Sequence, residues 1–326
     1  MDIRSFFKKG FPKLFGKFFF IFLLVACANH PQNHDEELII FHAGSLSVPF
    51  QQVIREFNKE YPEVKVYTEA AGSRACARKV TDLKKECDVM ASADYTVIDQ
   101  LLIPDYASWN IRFASNEMVI VYTEKSKYSD QIDSTNWHHI LLNQDVNYGR
   151  SDPNSDPCGY RTVLVSKLAE VYYGIPGFSD AVLAKDHKYI RPKETDLLAL
   201  LEINTLDYIF IYRSVAVQHD LKYVPLPSKI NLENPGYSEY YSQAKVQISG
   251  KKLGEFVTKT GEPMIYGVTV LDDAPNKVNA MKFAKFLLSE KGMAIMEENG
   301  QPSIVPSMSD SYQNIPETLK KFALKK

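Results

Sequence analysis

The chain has 326 residues, 45% hydrophobic and 24% charged, and its 38 Lys and Arg nearly balance 40 Asp and Glu for a formal net charge of -2. This length suits two domains, and the composition is that of a soluble globular protein, which excludes disorder, collagen-like repeats and a multi-span membrane protein. With neither a basic excess nor a basic stripe, nucleic acid is excluded as a partner.

The first 26 residues differ from the rest. Arg4, Lys8, Lys9, Lys13 and Lys17 stand against one acid, Asp2, and residues 18–26 follow as an unbroken apolar run. A membrane-spanning helix needs about 20 apolar residues, so this shorter run suits the core of a signal peptide. Its end, Leu24-Val25-Ala26-Cys27, resembles the bacterial lipobox, in which small residues admit the signal peptidase and the Cys27 thiol takes the lipid. Removing residues 1–26 takes away five basic and one acidic side chain, leaving 33 basic against 39 acidic groups and a charge of -6. Residues 27–37 are polar and contain Pro31, and they read as a lipidated tether. Cys76, Cys87 and Cys158 remain. A Cys76–Cys87 bridge is conceivable, buried free thiols are the favoured reading, and no paired Cys/His spacing points to zinc.

In chain order, the apolar run 38–42 is a buried strand that ends at Ala43-Gly44-Ser45. Phe50, Val53, Ile54, Phe57 and Tyr61 then fall at helical spacing ahead of Pro62. A strand over 64–67 ends at Ala71-Gly72-Ser73, and Ser73 can cap a helix to about residue 85. A strand over 88–93 and a short helix over 97–102 follow. Further strands are expected over 118–122, 146–150, 207–212 and 266–271. Helices are expected over 160–173, 194–201 and 276–298, the last closed by Asn299-Gly300. The βαβαβ order predicts an α/β fold with a parallel sheet. The expected architecture is two α/β lobes with a ligand cleft between them: lobe I from 38–117 and 268–326, and lobe II from 118–267.

Two loops share one design, strand then Gly-Ser then helix, at Gly44-Ser45 and Gly72-Ser73. A hydroxyl and backbone amides at a helix start favour negative charge, and the carboxyl ends of strands are where open α/β sheets bind ligands. An oxyanion is therefore a candidate ligand. In the loop 151–161, Asp152, Asn154 and Asp156 imitate the opening of a calcium loop, but Pro157 and Val163 occupy the positions that need Gly and Glu, which excludes calcium. What remains is a proline-stiffened loop that presents Asp156 and the following amides to a ligand or caps a helix near Gly159. No nucleophile elbow, phosphate-binding loop, zinc-protease or dinucleotide motif is present, so no enzyme chemistry is expected. His138-His139 beside Trp137 reads as a surface or packing pair, and His42 as a satisfied buried histidine.

Phe41-His42-Ala43-Gly44-Ser45-Leu46, Ala70-Ala71-Gly72-Ser73, Ala91-Ser92-Ala93-Asp94-Tyr95 and Asp156-Pro157-Cys158-Gly159-Tyr160-Arg161 resemble the tungstate/molybdate-binding proteins of ABC importers, the archaeal-style WtpA group. Ile211-Tyr212-Arg213-Ser214-Val215-Ala216 with Gln218-His219, and Asn299-Gly300-Gln301-Pro302, extend the resemblance over nearly all of the exported part. It implies a type II periplasmic-binding-protein fold whose lobes close on the anion. Carried over by motif, the oxyanion-binding positions are Gly44, Ser45, Ser73, Asp156, Pro157, Cys158, Glu194 and Tyr212. Glu194 is placed by Arg191-Pro192-Lys193-Glu194, with Asp196 and Glu202 as nearby carboxylates, and residues 175–187 match no pattern of the family.

Two carboxylates would repel sulfate or phosphate. Molybdenum and tungsten enlarge their coordination shell, and the resemblance implies that Asp156 and Glu194 bond the metal while the serine hydroxyls, amides and Tyr212 hold the outer oxygens. It further implies a monomeric capture protein without a cofactor, lipid-anchored through Cys27 in the periplasm or on the outer face of the cytoplasmic membrane, which delivers tungstate or molybdate to an ABC-transporter permease. The alternatives are a protein of the same fold for sulfate or a metal chelate, and an exported hydrolase.

Overall fold

The computed structural model describes residues 36–326, so the expected signal peptide, Cys27 and most of the tether lie outside the described residues. The first strands in chain order are β1 (Glu37–Ala43), β2 (Lys65–Ala71), β3 (Val89–Ser92), β4 (Ile111–Ser115) and β5 (Met118–Tyr122). Next come β6 (Tyr148–Ser151), β7 (Ile190–Arg191), β8 (Tyr208–Tyr212) and β9 (Lys222–Pro225). The last are β10 (Lys245–Ser249), β11 (Phe256–Thr260), β12 (Ile265–Val270), β13 (Ser307–Ser309) and β14 (Ala323–Lys325).

Two five-stranded sheets result, one ordered β2-β1-β3-β12-β4 and the other β7-β6-β8-β5-β9. The β10–β11 hairpin and the β13–β14 pair stand apart from them. The three strands of the βαβαβ unit pair in parallel as expected, and later strands make chain direction mixed in both sheets. In the first, β1 runs parallel to β2 and β3, but β12 is antiparallel to β3 and β4. In the second, β5 is antiparallel to β8 and β9, while β6 is parallel to β8. An apolar run records burial on both faces, and a buried antiparallel strand leaves the same record as a parallel one.

β1 illustrates why the run is continuous. Successive side chains point to opposite faces: Leu38 and Ile40 join one core, and Phe41 joins another with Cys76, Val80 and Leu101. On the first face, Phe50 and Phe57 from the helix Ser47–Glu60 meet Phe283 from the helix Lys277–Leu287 edge to face, at 5.9 and 5.5 Å between centroids. The second sheet buries every residue of β8. Trp137 packs there against Phe178 and Phe210.

Several boundaries move. β2 runs on to Ala71, and its helix ends at Thr81, with Lys84 beyond it in the left-handed region at φ 52. The expected helix 160–173 begins earlier, as Pro157–Tyr173, because Asp156 caps it and proline suits its first turn. The expected helix 194–201 is a 3-10 turn, Glu194–Leu197, followed by Leu198–Glu202. The expected helix 276–298 is two helices, Lys277–Leu287 and Glu290–Glu298, since Ser289 starts a new one by accepting from the Gly292 amide at 3.3 Å. Its closure at Asn299-Gly300 stands, with Gly300 at φ 77.

Cys76, Cys87 and Cys158 are free and buried, so the conceivable Cys76–Cys87 bridge is not formed. His42 is buried with Nδ1 2.8 Å from the Ala43 carbonyl, and burial lowers its pKa to about 4. His138 stacks on Tyr173 at 4.0 Å between centroids, which makes it a packing residue.

Candidate functional site

The carboxyl ends of β1 and β2 lie side by side, with Ala43 paired to Ala71. Their two Gly-Ser loops therefore emerge together. Ser73 does not cap its helix, contrary to expectation, and Ser45 caps none. A 3-10 turn, Gly44–Leu46, precedes the helix Ser47–Glu60, and the Ser45 hydroxyl lies 2.9 Å from the Tyr266 hydroxyl on β12. Gly72 takes the cap position of the helix Ser73–Thr81, and Ser73 Oγ accepts from the Ala93 amide at 2.9 Å. That amide lies just past the end of β3 and is buried, so it needs an acceptor from outside the ladder.

Facing these loops is the segment that enters the helix Pro157–Tyr173. Asp156 is 1% exposed, and one of its oxygens accepts from the Cys158 amide at 3.2 Å, as an N-cap does. Its other oxygen accepts from the Glu194 amide at 3.0 Å, which joins residues 38 positions apart in the chain. Asp152 instead binds its own loop, accepting from the Asn154 amide at 3.0 Å and the Ser155 hydroxyl at 2.8 Å. The Asp152–Asp156 segment is thus a capped turn.

Glu194 carries the sharpest anomaly among the described residues. It is 1% exposed, and neither carboxylate oxygen makes a hydrogen bond of ordinary geometry, although the Asp156 carboxyl and the Ser45 backbone lie beside it. Burial raises its pKa well above the carboxylate range, and the neighbouring Asp156 carboxylate raises it further. Burial likewise raises Asp156. A buried carboxylate without a hydrogen bond is costly, and strongly perturbed groups of this kind cluster at functional sites. A Cβ on Gly44 would lie 2.9 Å from Glu194 Oε1, so the first Gly-Ser loop touches this carboxylate directly. A Cβ on Gly72 would lie 2.8 Å from the Asp156 Cβ and closer still to the Ser155 carbonyl. The Ala75 amide also donates to that carbonyl at 3.1 Å.

Tyr212, at the end of β8, is fully buried, and its hydroxyl accepts from Arg161 Nη1 at 3.0 Å. The same nitrogen donates to the Ala93 carbonyl at 2.8 Å. Arg161 therefore links Tyr212 to the residue whose amide holds Ser73. Burial alone would raise the Asp94 pKa, yet Lys259 at 3.1 Å, Arg161 and a hydrogen bond from Tyr160 outweigh it and hold Asp94 well below the usual range.

Gly44, Ser45, Ser73, Asp156, Pro157, Cys158 and Glu194 thus come together from loops on both sheets, and Tyr212 joins them through Arg161. Arg161, Asp94 and Gln301 lie within the family motifs, but their residue types alone point to no role there. Gln301 Nε2 and Gln218 Nε2 donate to the Ser45 carbonyl at 3.0 and 3.3 Å. Asn116 and Tyr266 gave no motif; the only signal was a polar residue between two apolar runs and a tyrosine at the start of another.

The profile of the family described as bacterial extracellular solute-binding protein matches residues 38–301. A molybdate/tungstate-binding protein WtpA of Pyrococcus abyssi is 46% identical over 332 residues, covering 92% of this chain and 94% of that protein. An uncharacterized solute-binding protein of Petrotoga mobilis is 53% identical over 287 residues, 88% of this chain and 89% of its own. Among solved structures, the periplasmic molybdate-binding protein of Azotobacter vinelandii aligns with a TM-score of 0.59 at 16% identity, over 81% of this chain and 98% of that one. That likeness concerns the fold, which is the type II periplasmic-binding-protein arrangement of two α/β sheets. The named relatives are solute-binding proteins, not enzymes. This chain belongs to the bacterial extracellular solute-binding proteins, in one family with relatives named WtpA.

Proposed function

We propose that the protein captures tungstate or molybdate outside the cytoplasm and delivers it to the permease of an ABC importer. In this reading lobe I comprises 38–117 and 268–326 and lobe II 118–267, and the anion is held between them. Gly44, Ser45, Ser73, Pro157, Cys158 and Tyr212 surround its oxygens. Asp156 and Glu194 each give a carboxylate oxygen to the metal. The N-terminal segment is removed, Cys27 carries lipid, and the monomeric domain stays tethered to the membrane.

The observation that supports this most is Glu194, a buried carboxylate with neither oxygen in a hydrogen bond of ordinary geometry, beside a second buried carboxylate. Sulfate at such a place meets only repulsion, because its sulfur adds no ligands. A tungsten or molybdenum centre accepts the carboxylate as a ligand, which turns the same two charges into bonds. The test is calorimetry of the purified domain with tungstate, molybdate and sulfate. Tight binding of the first two, and sulfate weaker by at least about 1,000-fold (about 4 kcal/mol), is expected. Sulfate binding as tightly as tungstate would overturn the reading.

A further inference from the structure

The direction of the hydrogen bond between Ser45 and Tyr266 is fixed from behind. Asn116 lies between β4 and β5 and is 4% exposed. Its Oδ1 accepts from the backbone amides of Glu117 at 2.9 Å and Ser214 at 3.3 Å. Backbone amides only donate, so the side-chain amide has one orientation. Nδ2 then donates to Ser214 Oγ at 2.7 Å and to the Tyr266 hydroxyl at 2.9 Å, which uses both of its protons.

Tyr266 is fully buried, accepts from Asn116, and has one proton of its own to place. Ser45 Oγ, 2.9 Å away, is the acceptor to which it is hydrogen-bonded; the neighbouring Gln301 donates from Nε2 to the Ser45 carbonyl, and its Oε1 makes no hydrogen bond of ordinary geometry. A buried hydroxyl proton without an acceptor is destabilising, so Tyr266 donates to Ser45. The Ser45 proton is thereby turned away from Tyr266. Three side chains from three parts of the chain form one directional relay: Asn116 to Tyr266 to Ser45.

We propose that Asn116 and Tyr266 are positioning residues that set Ser45 as a hydrogen-bond donor toward the bound oxyanion. This rests on the site reading above, in which Ser45 touches the ligand. An oxyanion offers only acceptors, and a hydroxyl already held as a donor needs no reorganisation on binding. Neither residue contacts the ligand in this account; both act through Ser45.

A double-mutant cycle in tungstate affinity, read by calorimetry, tests the relay. Tyr266→Phe is expected to weaken binding about ten-fold in the otherwise native protein and less than about two-fold in a Ser45→Ala background. Asn116→Ala is expected to match Tyr266→Phe alone and to add little on top of it. A purely structural role would give equal losses in both backgrounds, and that outcome would overturn the relay while leaving the oxyanion site in place. A native protein that binds neither tungstate nor molybdate would overturn the site reading itself, and the relay's role with it.

Discussion

Glu194 and Asp156 concentrate the chemistry at the scale of single residues. Burial and the Asp156 charge raise the pKa of Glu194, so the native state holds a proton that the unfolded chain gives up at about pH 4.3. Its contribution to stability is therefore complete below that pH and is lost as pH rises toward the raised value. Bonding of the carboxylate to a metal must displace this proton. Tungstate binding is accordingly expected to release protons and to tighten as pH rises toward the raised pKa of Glu194. Calorimetry in buffers of different ionisation enthalpy reads the proton count. Glu194→Gln is expected to abolish the release and to weaken binding at least about 100-fold, about 2.7 kcal/mol, near the upper range for interactions with charged groups. Binding without proton release would mean that Glu194 keeps its proton and donates a hydrogen bond as an acid, which would remove it from the metal.

Between elements, the decisive contact is backbone against backbone. Gly72 has φ -57 and ψ 138, a conformation open to any residue. Glycine is needed there for space, because a Cβ would press on the Ser155 carbonyl and the Asp156 Cβ. The strap around this contact includes Arg74, fully buried, which donates from Nε to the Asn154 carbonyl at 3.1 Å and from Nη2 to the Ser249 carbonyl. Asp94 adds a buried ion pair with Lys259 of β11. If the two segments part in the open form, alanine at position 72 is accommodated there and resisted only on closure. Gly72→Ala is expected to leave the ligand-free melting temperature within about 2 °C, to weaken tungstate about ten-fold or more, and to prevent the compaction that X-ray scattering reads on binding. Normal affinity with normal compaction would show that this contact does not limit closure.

For the whole molecule, no helix among the described residues is long and apolar enough to cross a membrane. Attachment in the proposed reading falls to Cys27 alone. Cys27→Ser is expected to move the protein from the membrane fraction to the soluble extracytoplasmic fraction, with tungstate affinity unchanged in the purified domain. A variant that stayed with the membrane would end the lipid proposal. Without residues 1–26 the chain carries a charge of -6, and it is proposed to bind a dianion. Long-range attraction is therefore not the source of affinity, and local hydroxyls, amides and metal–carboxylate bonds must supply it.

The sequence by itself determined what local chemistry dictates. Apolar runs marked the cores of β1, β5 and β8, and Gly-Ser marked the strand ends that meet at the site. A proline behind an acidic cap marked Asp156, and an ordered set of motifs marked the family. Only the tertiary structure decided what depends on distant partners. Strand direction is one case, since burial on two faces leaves the same apolar record in either direction. The roles of Ser45 and Ser73 are another: both read as hydroxyls at helix starts, but each is held by a group beyond its own loop, Ser45 by Tyr266 at a separation of 221 residues. Asn116 and Tyr266 carried no motif because their function is to orient another side chain. That work needs a fixed angle and a distance near 2.9 Å, and only the assembly of strands distant in sequence, β1 and β12 in one sheet, sets either.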